Sequence, residues 1–349
     1  NKTHFLILVL MAALCSYSAR EGLTGVLNFV ETINTPPANG DVNPYGIAFI
    51  PSGFPCTSLS TSNILIANFN NASNAQGTGT TISILDSANP QKVAGTFFTS
   101  TLPGLTSALS LLSSGYVLVG NIPSLGVNGT GYFQVGSGVI QVLDCTGKVV
   151  TTLGAPSTTH PWGMTVYETA SSILIFVSNV IDGNVVRINL ANPPVFANAQ
   201  YTTIANGYTT MESNAAFVVG PAGLAYNPTT DVLYVAAQGD NQVSSTATPF
   251  TTTLTSFQIY SIPTASTRTT PVTKGTLVYA DQTNLHGPLG IVITPQGHLI
   301  TANSDGLNVN PNQTSILTEF TTAGAWYVTF YLSNPHSLTP SIFRVSNLS

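Results

Sequence analysis

The feature that most constrains this 349-residue chain is self-similarity: one pattern of strands and turns recurs five times, at a period of roughly sixty residues. Each unit opens on a turn with Gly or Ala, runs into a short apolar strand, breaks, and enters a second apolar strand that ends in a small residue and an amide. Asn43-Pro-Tyr-Gly-Ile-Ala-Phe49 leads to Ile64–Asn68, and Leu105–Leu111 leads to Tyr116–Asn121. His160-Pro-Trp-Gly-Met-Thr-Val166 leads to Ile173–Asn179. Gly220-Pro-Ala-Gly-Leu-Ala-Tyr226 leads to Val232–Gln238, and Gly287-Pro-Leu-Gly-Ile-Val-Ile293 leads to His298–Asn303. A third β-rich stretch follows each amide, as at Thr81–Leu85 and Val139–Leu143, and a fourth often follows that. Runs of β-branched and aromatic residues broken by Gly, Asn and Asp predict strands, and no helical period competes with them.

Four short strands per unit describe the blade of a β-propeller, in which each unit buries its faces only against its neighbours. The expected fold is therefore all-β: a single domain over residues 21–349, built as a six-bladed propeller of four-stranded blades. Five blades are evident. The sixth would be closed by both chain ends, Gly25–Ile33 and Ser341–Ser346. Gly46, Gly163, Gly223 and Gly290, with Ala108 in the second unit, occupy equivalent positions where inner strands would crowd at the axis.

Residues 1–20 differ in kind. Lys2 precedes the apolar run Phe5–Cys15, and small residues and Arg20 follow, the order found in a secretory leader. The run is too short for a membrane-spanning helix, which needs about 20 apolar residues. A secreted or cell-surface location is expected, whether the segment is cut away or kept. Cys56 and Cys145 would then form one disulfide, joining neighbouring repeats. Asn71, Asn128, Asn312 and Asn347 head sequons open to glycosylation.

Composition narrows the partners. Charged residues make up 6% of the chain, and 8 Lys+Arg stand against 13 Asp+Glu. No basic stripe for nucleic acid can form from so few cations. Little charge repulsion keeps copies apart, so self-association, or contact with another extracellular protein or glycan, is the expected partnership.

The Pro-x-Gly-apolar strand and the small-polar end of the second strand resemble the NHL-repeat propellers. They are similar also to the virginiamycin-lyase-like and SMP-30/gluconolactonase-like proteins. The resemblance implies a site at the axis, where the amides Asn68, Asn121, Asn179, Gln238 and Asn303 stand in positions that are typically Asp. Those amides remove carboxylates a metal would use, and no Glu occupies the matching first-strand positions. His160 and His286, each just before an inner strand, are the channel-mouth candidates, and Tyr45 and Trp162 could stack beside them. The amide-rich turns Asn179/Asp182/Asn184 and Asn303/Asp305/Asn308 look like fragments of calcium loops, but turn chemistry explains them without an ion. No cofactor is called for, a divalent cation such as calcium being the exception these turns leave open. No His has an acidic neighbour in sequence, and no Gly-x-Ser-x-Gly elbow occurs. The expectation is thus a non-catalytic exported propeller acting in extracellular binding or self-assembly. The alternative is a metal-assisted lactonase or lyase with an axial site.

Overall fold

A computed structural model describes residues 28–34, 36–87, 93–102, 104–127, 133–154, 156, 158–213, 217–240, 257–281, 284–285, 287–303, 315–331 and 341–346. The second strands explain the architecture best. Along Asn63–Asn70 the residues after Asn63 are buried without interruption, because this strand has a neighbour on each face of its sheet. Successive side chains then point to opposite faces. Leu65 and Ala67 join Leu109, Val117 and Val119 of the next unit, whereas Ile64 and Ile66 face the other way with Leu85. Similarly, Ile173, Ile175 and Val177 pack toward the preceding unit, and Leu174 and Phe176 toward the following one. The core is therefore a series of layers between sheets. Each such side chain contributes about 1.5–3 kcal/mol on burial.

Among the described residues five blade sheets result, four of them four-stranded and antiparallel and one five-stranded. Blade 1 holds Val42–Phe49, Asn63–Asn70, Thr81–Asp86 and Val93–Thr99. Blade 2 holds Leu105–Leu111, Val117–Ile122, Val139–Leu143 and Val149–Leu153. Blade 3 is Pro161–Glu168, Ser172–Asn179, Asn184–Ala191 and Gln200–Asn206, with Val272–Thr273 added in parallel at its edge. Blade 4 is Pro221–Asn227, Val232–Ala237, Phe257–Pro263 and Thr276–Asp281. Blade 5 is Pro288–Ile293, His298–Asn303, Ser315–Thr321 and Trp326–Tyr331. The inner strands of successive blades touch one another in order. This is an all-β propeller, as the repeats predict.

The count of six four-stranded blades is corrected to five. The chain ends do meet, Asn28–Asn34 pairing antiparallel with Ser341–Ser346, but as a two-stranded sheet whose second strand touches the inner strand of blade 1. The glycines show where the ring is tight. A Cβ on Gly46 would lie 2.2 Å from the Ser107 carbonyl oxygen of blade 2, and one on Gly163 would lie 2.0 Å from that of Ala222 in blade 4. Only a residue without a side chain permits such an approach. At Gly290 the nearest atom among the described residues is the Ala302 Cβ of its own blade, at 3.7 Å. Phe49 on blade 1 (65% exposed) and Val292 on blade 5 (57%) mark the same seam. Blades 1 to 5 pack inner strand on inner strand, and the junction from blade 5 to blade 1 is looser.

Two hairpins stand outside the blades. Ser124–Val127 pairs with Phe133–Val135, and Met211–Ser213 pairs with Phe217–Val219. Both leave the face on which inner strands begin, and their strands contact each other there. Among the described residues no helix is long and apolar enough to cross a membrane.

Candidate functional site

Strand register places the amides where the repeats predict, all on the face where inner strands begin. Asn68 lies opposite Pro44, Asn121 opposite Thr106, Asn179 opposite Pro161 and Asn303 opposite Pro288. Gln238 follows its strand, its backbone N–H donating to the Gly220 carbonyl at 3.0 Å. Asn68, Asn121, Asn179 and Gln238 are buried; the side chains of Asn68 and Asn179 bond within their own blades, and that of Asn303 reaches the segment between blades 4 and 5. Asn68 Nδ2 donates to Ser83 Oγ at 2.9 Å, Asn179 Nδ2 to Asn184 Oδ1 at 2.7 Å, and Asn303 Nδ2 to the Asn284 carbonyl at 2.8 Å. They tie the second strand to neighbouring segments, satisfying polar groups that would be costly to bury alone.

Above them the axis is filled by an apolar cluster that draws on all five blades. Phe69 of blade 1, Ile122 of blade 2, Trp162 of blade 3 and Ala222 of blade 4 are buried together, with Leu289 of blade 5 packed against them. Phe217, from the hairpin that precedes blade 4, completes the cluster. The Tyr45 and Trp162 rings meet edge-on at 5.2 Å, Phe69 and Trp162 at 5.5 Å, and Phe69 and Phe217 at 5.7 Å. Such edge-to-face contacts suit the ring quadrupoles. Burial pushes the Tyr45 phenol far above its usual range, and the Trp162 indole N–H beside it only partly opposes that. Tyr45 and Trp162 do meet, but edge-on and within an interior plug.

Beside the plug lies an arrangement with catalytic geometry. His160, two residues before Trp162, donates from Nδ1 to Asp182 Oδ2 at 2.9 Å. Thr159 Oγ1 donates to the same oxygen at 2.5 Å, and the His160 backbone N–H reaches Asn179 Oδ1 at 3.3 Å. Asp182 sits in the turn after the second strand, where Gly183 at φ +62° lets the chain reverse. Half-burial works to raise the Asp182 carboxyl. Hydrogen bonds from His160 and Thr159, and the charge of a protonated imidazole, outweigh this and hold it below the usual carboxylate range. Among the described residues His160 Nε2 has no hydrogen-bond partner, and its side chain is 13% exposed.

Sequence reasoning found His160 but missed its partner, because Asp182 lies 22 positions away and reads as a turn residue. It missed a second pair too: His298 Nδ1 lies 2.7 Å from Glu319 Oε1, a fully buried carboxylate on the adjacent strand. That pair stands at the opposite end of blade 5's second strand, away from the plug. His286, Asp305 and Asn308 lie outside the described residues. Among those described, no three His, Cys, Asp or Glu side chains come together as a metal site would require.

Cys56 and Cys145 lie side by side across the boundary of blades 1 and 2, with Cys56 Sγ donating to the Cys145 carbonyl at 2.9 Å. Both are free thiols, not the expected disulfide. Asn71 is half-buried and its Oδ1 accepts the Ser73 and Ala75 amides. Asn128, Asn312 and Asn347 lie outside the described residues.

No protein-family model and no curated protein matches the sequence. Solved structures do. A gluconolactonase from Xanthomonas campestris is 10% identical, over 88% of this chain and 90% of that one, at a TM-score of 0.49. A luciferin-regenerating enzyme is 10% identical over 87% and 81%, at 0.48. Hydrazine synthase of Kuenenia stuttgartiensis is 14% identical over 80% and 72%, at 0.44. The expectation of a non-catalytic binding or self-assembling subunit is corrected. That expectation had no His with an acidic partner, and the candidate face carries the His160–Asp182 pair.

Proposed function

We propose that this propeller is a hydrolase of small uncharged ring esters (lactones), with His160 as general base and Asp182 as the group that orients it. The observation that carries this is the 2.9 Å contact of His160 Nδ1 with Asp182, which leaves Nε2 without a partner among the described residues. A carboxylate accepts only, so Nδ1 carries a proton, and in the neutral ring Nε2 keeps its lone pair. In the reaction, Nε2 takes a proton from water as the water oxygen bonds to the lactone carbonyl carbon. The ring C–O bond then breaks, and the leaving oxygen receives the proton back from the imidazolium, giving a hydroxy acid. Asp182 stabilises the transient imidazolium. The described residues offer no fitting metal donor set, so no step is routed through a metal ion. An uncharged substrate suits a chain with 8 Lys+Arg in 349 residues.

Turnover of a lactone panel by wild-type protein and by His160→Gln tests the proposal. Loss of about 10²–10⁴-fold in kcat with folding intact is expected. Equal rates would end it. Loss of wild-type turnover on chelation would put a metal ion in the role assigned to His160. An unsaturated product in place of a hydroxy acid would mean that the base removes a carbon-bound proton instead. We propose further that the protein is exported, supported by the leader-like order of residues 1–20. We also read the paired chain ends as the element closing the ring between blades 5 and 1.

A further inference from the structure

We infer that the axial aromatic cluster is a binding site for a flat, uncharged ring bearing a hydrogen-bond acceptor, and that Phe217 occupies it in this structure. The inference rests on the reading of His160 as general base, which it supplies with a substrate subsite.

Three observations meet at Phe217. Its backbone is held at φ +62°, a conformation unusual for a bulky residue. Strain of this kind persists where surrounding structure enforces it. Its ring is fully buried over Gly77, where an added Cβ would lie 2.5 Å from a ring carbon, so Gly77 leaves the space that the ring fills. The residue belongs to a hairpin with strands of three residues and to none of the five blades. Withdrawing it would open the axis and leave every blade intact.

The second partner is Trp162, stacked on Phe217 at 6.5 Å between ring centroids. Its indole Nε1–H is buried and makes no hydrogen bond among the described residues. The Tyr45 phenol lies near enough to feel this N–H, but it is not placed to accept from it. An orphaned buried donor is costly, and an acceptor on a ligand would relieve it. A ring replacing Phe217 would face Phe69 and Trp162, offer its acceptor to Nε1, and lie beside His160, two residues from Trp162. Phe217 supplies the ring but has no acceptor.

The chain has two tryptophans, so replacing Trp326 by Phe leaves Trp162 as the reporter. Emission is titrated in protein carrying Trp326→Phe and His160→Gln, which binds without turnover. The probes are 3,4-dihydrocoumarin and its acceptor-free analogue tetralin. Expected is a saturable change with dihydrocoumarin, about tenfold tighter than with tetralin, the worth of one hydrogen bond. Phe217→Gly added to the same protein should tighten binding further, since the competing ring is gone. Equal affinities for the two probes, or no saturable change in folded protein, would overturn the inference. So would binding confined to the Phe217→Gly protein, which would show only a hole made by the substitution. Binding without hydrolysis by protein retaining His160 would keep this site and remove the lactonase reading. Hydrolysis indifferent to Phe217 and Trp162 substitutions would do the reverse.

Discussion

The Asp182 carboxylate lies 2.9 Å from Nδ1 of His160, joining the turn after one strand of blade 3 to the residue that precedes its inner strand. Because the folded Asp182 titrates below its unfolded value, the pair stabilises the fold above the unfolded carboxylate range. That contribution is lost as pH falls through the lower folded value. Urea unfolding of wild type and Asp182→Asn across pH should show a stability gap that is full near neutrality. It should close on acidification below about pH 4, the ordinary Asp range. A gap constant down to the acid limit would mean that Asp182 is not ionised in the fold.

The contrast between Gly163 and Gly290 predicts opposite outcomes for one substitution. Gly163→Ala drives a methyl to 2.0 Å from the Ala222 carbonyl oxygen and should cost about 1–3 kcal/mol or more. Gly290→Ala meets, among the described residues, only the Ala302 methyl at 3.7 Å and should be nearly neutral, within about 0.5 kcal/mol. Denaturant midpoints of the two variants check this. Equal losses would show the blade 5 to blade 1 junction to be as tight as the others.

The paired thiols should couple under oxidation. Treated with glutathione disulfide, Cys56 and Cys145 each lose a proton and together two electrons to the oxidant, which leaves as glutathione. The Cys145 thiol is held above its usual pKa by its hydrogen bond with Cys56, by burial and by neighbouring negative charge. Coupling should therefore quicken as pH rises. Peptide mapping should find the 56–145 link, and the oxidised protein should gain about 2–4 kcal/mol. Two free thiols after prolonged oxidation would refute the pairing.

Lys274 Nζ lies 2.7 Å from Asp240 Oδ1, a carboxylate with no exposed surface. Lys274→Met removes the counter-charge and leaves Asp240 Oδ1 the Thr209 N–H at 2.8 Å, and should cost about 3–5 kcal/mol. Thermal unfolding reads the loss, and an unchanged midpoint would mean that the buried carboxylate has other support.

The propeller was legible because its signals are local and repeated. The continuous apolar run Ile64–Ala67 marks a strand buried on both faces, and Gly46 and Gly163 mark the axis. Register also put Asn68, Asn179 and Asn303 at equivalent points, though composition could not say that they bond inward. The missing sixth blade shows the limit of pattern, since the two chain ends supply one strand each. The candidate site was half legible. His160 stood out by its place before Pro161, whereas Asp182 reads as turn chemistry until folding brings it back. Phe217 carried no signal at all, because it lies in an excursion between repeats.

The proposed lactone hydrolysis requires Asp182 to fix His160 with its proton on Nδ1 and its lone pair on Nε2. Nitrogen-15 histidine NMR of wild type and Asp182→Asn measures this directly. The prediction is the Nδ1–H tautomer in the neutral ring of His160, with a hydrogen-bonded, downfield Nδ1 proton that disappears in the variant. A neutral His160 protonated on Nε2, with a spectrum unchanged by Asp182→Asn, would contradict it.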